Sequence, residues 1–295
     1  NMLSINYIII TRVKLMFNTN PFAELSVMID PTIMETYVIL MALLVAGGTL
    51  FDIVHKRSAQ YFFNNWQKSK ANAKRQVSGG EKASVAVKTA IDGLTSAELG
   101  DCSTRRQLAH LLTMYGFIAY TATTAMMVFG YQESATPVIV ANLWYLGAFM
   151  VCLGGYWFWF FIRVDVSAEG HSPFRLVRAD LFVVSLTLST TFALVWAYTQ
   201  SNGNSTWNVL TLILYIFTTT VLFGSVPWSK FSHMFFKPAA ALEKKMSEAS
   251  GSRNNLPEPV DRTNPAVRDS HSMELLKDAP LSMGLGIKRE KPSHY

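Results

Sequence analysis

Charge is what this chain has least of. Only 16% of its 295 residues are Asp, Glu, Lys or Arg, where a soluble domain carries about 25%. The shortage is local as well as global. No formal charge occurs in residues 37–51, 107–132, 134–162 or 181–229. Runs of that length exclude an ordinary soluble domain, whose surface helices alternate polar and apolar faces. Cysteine is nearly absent too. Cys102 and Cys152 have no pair spacing for a zinc site or an iron–sulfur cluster. One falls in a basic loop and the other inside an apolar run, which argues against a disulfide between them. No Ser–His–Asp pattern, glycine-rich phosphate loop or metal-binding helix stands out, so nothing marks a catalytic residue of this chain alone or a nucleic-acid partner. The apolar run 7–10 is too short for a span and no small-residue cleavage site follows it. Met16 is a candidate start.

What is present is apolar material in lengths that fit a bilayer. Half the residues are hydrophobic and the mean hydropathy is +0.21. A helix needs roughly 20 apolar residues to cross about 30 Å of hydrocarbon, and lipid forbids unpaired backbone. Five segments meet that need: residues 33–55, 107–130, 138–162, 181–199 and 207–228, the last two separated by the polar turn 200–206. The fold class expected is therefore an all-α polytopic membrane protein with five transmembrane helices. Residues 1–32 form an N-terminal segment, 56–106 a loop, 163–180 a charged hinge and 229–295 a tail. Glycine pairs at Gly47-Gly48 and Gly154-Gly155 suit close helix packing.

Basic residues orient the chain. Of its 26 Lys and Arg, 24 lie in the 56–106 loop, the 163–180 hinge or the segment from Lys230 onward, and the two opposite loops have none. The exceptions are Arg12 and Lys14. The positive-inside rule places loop, hinge and tail in the cytoplasm and residues 1–32 outside. The loop opens with the aromatic and basic stretch 56–66, suited to a membrane surface. Residues 81–99 have helical character, with Val85, Val87, Ile91 and Leu94 as expected buried positions. The tail begins with an amphipathic piece, 231–238, then a short helix through Met246. Beyond it lie Pro257, Pro259, Pro265, Pro280 and Pro292, in material too polar to build a core alone.

Two constellations could carry chemistry. Four of the six histidines lie at span ends on the basic side: His55, His110, His171 and His233. Haem b in a helical bundle is held by two histidines on facing helices, so His110 with His233 or His55 is a candidate pair for one haem b. No histidine lies deeper in the membrane or near the far face, which leaves no ligands for a second haem. The bland alternative is interfacial histidines bonded to water and headgroups. The second constellation is the hinge, where Arg163, Asp165, Glu169, His171, Arg175, Arg178 and Asp180 fall between two apolar helices. Charges there are costly unless solvated or paired. Salt bridges with positive-inside anchoring are one reading. A polar pocket for a quinone headgroup is the other, with Arg163, Asp165, His171, Arg175 and Arg178 as candidates. Spacing alone does not separate the two. Asp52 and Glu35 sit near span ends and suggest no ion pathway.

Several stretches carry a family likeness: residues 110–117 (HLLTMYGF), 154–170 (GGYWFWFFIRVDVSAEG), 172–182 (SPFRLVRADLF), 232–246 (SHMFFKPAAALEKKM) and 284–290 (GLGIKRE). From about Phe17 to the C-terminus the chain resembles the membrane-anchor subunit of dissimilatory adenylylsulfate reductase from sulfur-oxidising bacteria. More distantly it resembles the five-span cytochrome b anchors of respiratory redox complexes. It departs from these in offering histidines at one depth where they carry two haems.

The nearer likeness implies a bacterial cytoplasmic membrane and a soluble flavin and iron–sulfur partner that oxidises sulfite and AMP to adenylylsulfate. Electrons would then pass to quinone through or beside this chain. The function expected is a membrane anchor and electron-transfer subunit, not catalytic alone. The alternatives are a cofactor-free scaffold recruiting a cytoplasmic complex, and a haem b quinone-reactive subunit of another respiratory complex.

Overall fold

The computed structural model describes residues 17–254 except 56, 101–102, 133–134, 165–169, 171 and 204, together with Leu256 and Asn264. Every regular element among the described residues is helical. Five helices are long and apolar enough to cross a membrane, which makes the chain a multi-pass membrane protein of the all-α class. It divides into two compact units. One comprises the chain to Asp52 and Leu108–Ser232; the other comprises Ile53–Gln107 and the chain from His233.

The helices of the first unit begin where the backbone allows. Helix α1 (Pro21–Leu25) is capped by Asn20, whose side chain accepts from the Phe22 and Ala23 amides. The first spanning helix, α2 (Pro31–His55), opens on a proline, which gives up no helical bond at that position. The Asp30 carboxylate accepts from the Thr32 amide at 2.8 Å, and that bond holds its pKa below the usual carboxylate range. Helix α6 (Thr104–Gly130) and helix α7 (Val138–Trp157) follow, α7 running on through a π-helical turn at Phe158–Ile162. After the hinge come α8 (Leu181–Ser201) and α9 (Ser205–Gly224).

Several boundaries differ from the sequence expectation, with α2 starting two residues early at Pro31 and α6 three residues early at Thr104. The turn expected over 200–206 shrinks to a few residues around Gly203, which has φ +70°, because Gln200 and Ser201 stay helical. The last span ends at Gly224 and not at 228, since Ser225 to Ser229 close a turn by Trp228 and Ser229 amide bonds to the Ser225 carbonyl, both 2.9 Å.

Close helix approach organises the bundle. A Cβ on Gly116 would lie 2.8 Å from the Gly147 carbonyl oxygen, and one on Gly147 would lie 2.7 Å from the Tyr120 nitrogen. Backbone meets backbone there, so only glycine fits. Gly154 plays the same part against the Ala109 carbonyl at 2.7 Å, and Gly155 against Thr187. The Gly47-Gly48 pair divides: Gly48 abuts Val226, whereas nothing lies within 4 Å of a Cβ on Gly47. Around these contacts Tyr120, Met127, Val140, Ala141, Trp144, Ala148, Ala193, Trp196 and Tyr215 form the buried core. By contrast α2 shows Ile39, Leu40, Leu43 and Leu50 on its surface, as a lipid-facing helix does.

The second unit is a small helical lobe. Helix α3 (Ser58–Ala71) and helix α4 (Gly79–Thr95), capped by Ser78, lead to the short turn α5 (Ala97–Gly100). Helix α10 (His233–Ser250) completes it. The amphipathic piece 231–238 and the short helix expected through Met246 are largely one helix, α10, which carries Pro238 as its sixth residue and runs on to Ser250.

The lobe is held by polar stitches. Lys245 pairs with Asp92, and Arg75 with Glu81. The Lys74 and Arg75 amides both donate to the Ser250 carbonyl, at 3.0 and 3.2 Å. Ser252 meets Ser69 at 2.8 Å and Ser247 at 2.9 Å. The burial expected along residues 81–99 is corrected here. Val87, Ile91 and Leu94 are 59%, 53% and 55% exposed, Val85 is half-buried, and the buried position of α4 is Thr89. Burial of Thr89 leaves no polar atom wanting, since its hydroxyl donates to the Val85 carbonyl at 2.7 Å.

Candidate functional site

The hinge between α7 and α8 is the most concentrated polar structure in the first unit, and Arg163 is its centre. The π-turn sets it up: the Arg163 amide reaches back five residues to the Phe158 carbonyl at 2.8 Å. Such turns shift the register of the residues that follow. Arg163 has no solvent-exposed surface, and its guanidinium lies 4.2 Å from the Trp159 ring centroid, a cation–π distance. Nη1 donates to the Ser172 carbonyl at 2.9 Å. Nη2 donates to the Arg175 carbonyl at 2.5 Å and to Asp180 Oδ2 at 2.6 Å. Asp180 Oδ2 also accepts from the Val177 amide at 2.9 Å, and Trp159 Nε1 donates to the Pro173 carbonyl at 3.2 Å. Each buried charge thus meets an opposite charge or a carbonyl dipole, as burial demands.

The candidates fare differently in this geometry. Arg163 directs its terminal nitrogens inward, to the loop backbone and Asp180. Arg175 and Arg178 are exposed, and each stands within the loop that Arg163 gathers. Asp165, Glu169 and His171 lie outside the described residues, as do Cys102 and the 284–290 ending. Of the haem candidates, His110 is exposed on α6 in the first unit. His55, exposed at the end of α2, and His233, half-buried at the start of α10, belong to the second. Among the described residues no group of three or more His, Cys, Asp and Glu is placed to hold a metal ion. A haem needs only two histidines, so the pairing of His110 with His233 or His55 stays an expectation.

Sequence reasoning missed a second polar feature, a seam of hydroxyls inside the bundle. The Tyr120 hydroxyl donates to the Tyr215 hydroxyl at 2.7 Å with both groups buried. Ser189 meets Thr219 at 2.7 Å, Tyr156 meets Thr191 at 2.9 Å, and Trp144 Nε1 donates to Thr124 at 2.9 Å. Trp196 stacks on Tyr215 with ring centroids 5.7 Å apart. Seams of this kind bind membrane helices to each other. The only available signal was the density of Ser, Thr and Tyr in otherwise apolar runs, which does not say which partners meet.

The opposite end of the bundle is closed by the N-terminal segment. Phe22 wedges between Trp144 and Trp196, with ring centroids 5.8 and 5.4 Å away. Asn20 Nδ2 donates to the Tyr131 carbonyl at 3.1 Å and to Thr136 at 3.0 Å, and Gln200 donates to the Pro21 carbonyl at 2.9 Å. Burial pushes the Glu24 carboxyl up, opposed in part by its bond with Gln200. A cavity of about 570 Å³ lies at this end, lined by Glu35, Gln132, Thr32 and Phe129 among others. Asp52 is buried near the other end of α2 and accepts from the Ser232 hydroxyl at 3.0 Å.

No protein-family model, curated protein or solved structure matches this chain.

Proposed function

We propose that this chain is the membrane anchor of a cytoplasmic redox enzyme and delivers that enzyme's electrons to quinone. The observation that carries the reading is the second unit. A spanning bundle has no packing need for a folded helical lobe outside the apolar segments. This lobe leaves Val87, Ile91 and Leu94 of α4 exposed in one helical stripe, with Lys88 exposed at its edge. An apolar stripe with a lysine at its edge fits a soluble partner that offers an apolar groove with an acidic side chain beside it.

With five spans, the loop after the first and the tail after the last lie on one side, and the basic bias makes that side cytoplasmic. The motif likeness names the partner class, an adenylylsulfate reductase of flavin and iron–sulfur type in a bacterial inner membrane. Quinone would be met at the hinge. Because Arg163 is committed to the loop, Arg175 and Arg178 are the cations left to face a headgroup, with Asp165 and His171 as proton-handling candidates. His110, His233 and His55 are the candidate ligands for one haem b on the electron path.

A second reading is favoured by one observation. The terminal nitrogens of Arg163 are taken up by Asp180 and the loop backbone, as they would be in a cofactor-free scaffold, although its buried Nε has no hydrogen-bond partner among the described residues. Binding alone does not separate the readings, but chemistry does. In nanodiscs, Val87→Asp with Ile91→Asp should abolish capture of purified adenylylsulfate reductase, and unchanged capture would sink the docking assignment. Arg178→Ala should lower quinone reduction without affecting capture if the hinge is the quinone site. Unchanged turnover would leave the scaffold.

A further inference from the structure

The hinge loop turns its backbone inward and its apolar side chains outward. Arg163 draws in the Ser172 and Arg175 carbonyls at 2.9 and 2.5 Å, and Trp159 draws in the Pro173 carbonyl at 3.2 Å. With three carbonyls of four consecutive residues facing the clamp, Phe174 is 90% exposed and Leu176 66% exposed. Arg175 and Arg178 are exposed as well, and neither makes a side-chain hydrogen bond or ion pair among the described residues. A phenylalanine left nine-tenths exposed in a loop that a buried arginine holds by three bonds is not a folding accident of a floppy segment.

Connectivity says what covers it. Helix α7 with its π-turn ends at Ile162 and α8 begins at Leu181. Both are spanning helices, so the loop between them lies at the membrane boundary. Phe161, at the end of that turn, is itself 71% exposed. Aromatic and aliphatic side chains alternating with arginine at this depth match the bilayer's own layering, with acyl chains beneath phosphates. Arginine's planar fork matches phosphate oxygens. We propose that residues 174–178 are a lipid-binding loop: Phe174 and Leu176 enter the acyl boundary of the basic-side leaflet, and Arg175 and Arg178 bind the phosphates of anionic phospholipids there. The Arg163–Asp180 clamp presents the loop in that posture. This inference needs only that α7 and α8 cross a bilayer and does not rest on the redox reading. On it, lipid is the resting occupant of the arginines that a quinone headgroup would have to displace.

Two measurements on the full chain test it. First, nitroxide labels go on Phe174→Cys and Leu176→Cys in a background with both native cysteines replaced by serine, reconstituted in nanodiscs containing phosphatidylglycerol. Power saturation should show greater accessibility to oxygen than to a nickel chelate at both sites, with the reverse at the exposed Lys82→Cys. An aqueous profile at 174 and 176 like that of Lys82→Cys would overturn the insertion. Second, native mass spectrometry with equimolar phosphatidylglycerol and phosphatidylcholine should show several-fold preference for the anionic lipid. The Arg175→Gln, Arg178→Gln double variant should lose that preference while the two labelled sites keep their oxygen profile. Undiminished preference in the double variant would overturn the phosphate assignment. Free inorganic phosphate at millimolar concentration should not compete, and competition would assign the site to a soluble anion instead. Intact lipid binding in a variant with impaired quinone turnover would separate this inference from the redox reading.

Discussion

Replacing Arg163 with methionine keeps most of the side chain's volume and removes its charge. In the native fold the guanidinium holds Ser172, Arg175 and Asp180, and the Arg163 side chain is wholly buried while that of Asp180 is 12% exposed. Summing three charge-assisted bonds at about 1.5–3 kcal/mol each overstates the loss, because they act as one unit. The better guide is the cost of orphaning one partner of a buried pair, about 3–5 kcal/mol. The slight exposure of Asp180 lets water relieve it, so the lower part of that range applies. The unfolding equilibrium should shift by roughly two to three powers of ten.

Reversible unfolding in mixed micelles measures this, with Trp159 fluorescence as a local probe. Asp180→Asn combined with Arg163→Met should show a favourable coupling, the double variant losing less than the sum of the singles, because the uncharged amide needs no counterion. Arg163→Lys should recover only part of the loss, since an ammonium cannot present the planar fork. A cost below about 1 kcal/mol for Arg163→Met, in the range of an exposed ion pair, would refute the clamp.

Other perturbations have equally definite outcomes. Tyr120→Phe removes the donor to the buried Tyr215 hydroxyl and should cost about 1–3 kcal/mol in the same assay. Gly147→Ala, whose methyl would lie 2.7 Å from the Tyr120 nitrogen, should cost about 1–3 kcal/mol or more by prising α6 from α7. Gly47→Ala, with open space around it, should stay within about 1 kcal/mol of wild type. Glu81 is held below the usual glutamate range chiefly by its hydrogen bond with Arg75. Its contribution is present above the unfolded value and lost as pH falls through the depressed one, so α4 amide protection should decline on acidification and lose that dependence in Glu81→Gln.

The spans were legible because lipid imposes one strong rule: backbone must be paired and side chains apolar over a fixed length. That rule located five helices from charge-free runs alone, even where ends moved by several residues, as at Gly224 and Ser201. What lipid does not dictate was read poorly. The stripe Val87, Ile91 and Leu94 has helical spacing, and spacing predicts a face without saying what covers it. The hinge was recognised by its charges, but no spacing rule reveals that a π-turn buries Arg163 and leaves Arg175 outside. The Tyr120–Tyr215 bond joins residues 95 apart, and such pairing depends on which helix faces lie together. Gly116 and Gly147 were overlooked for the same reason, because neither stands in a pair of glycines.

The measurement that bears most directly on the central claim is quinone reduction in proteoliposomes. Purified adenylylsulfate reductase, sulfite and AMP would be added outside vesicles holding a quinone and this protein with its basic face outward. The account predicts reduction that requires sulfite, AMP and the anchor together and that falls to background with Val87→Asp, Ile91→Asp. Quinone reduced equally fast in vesicles without the anchor, or not at all with it, would contradict the account.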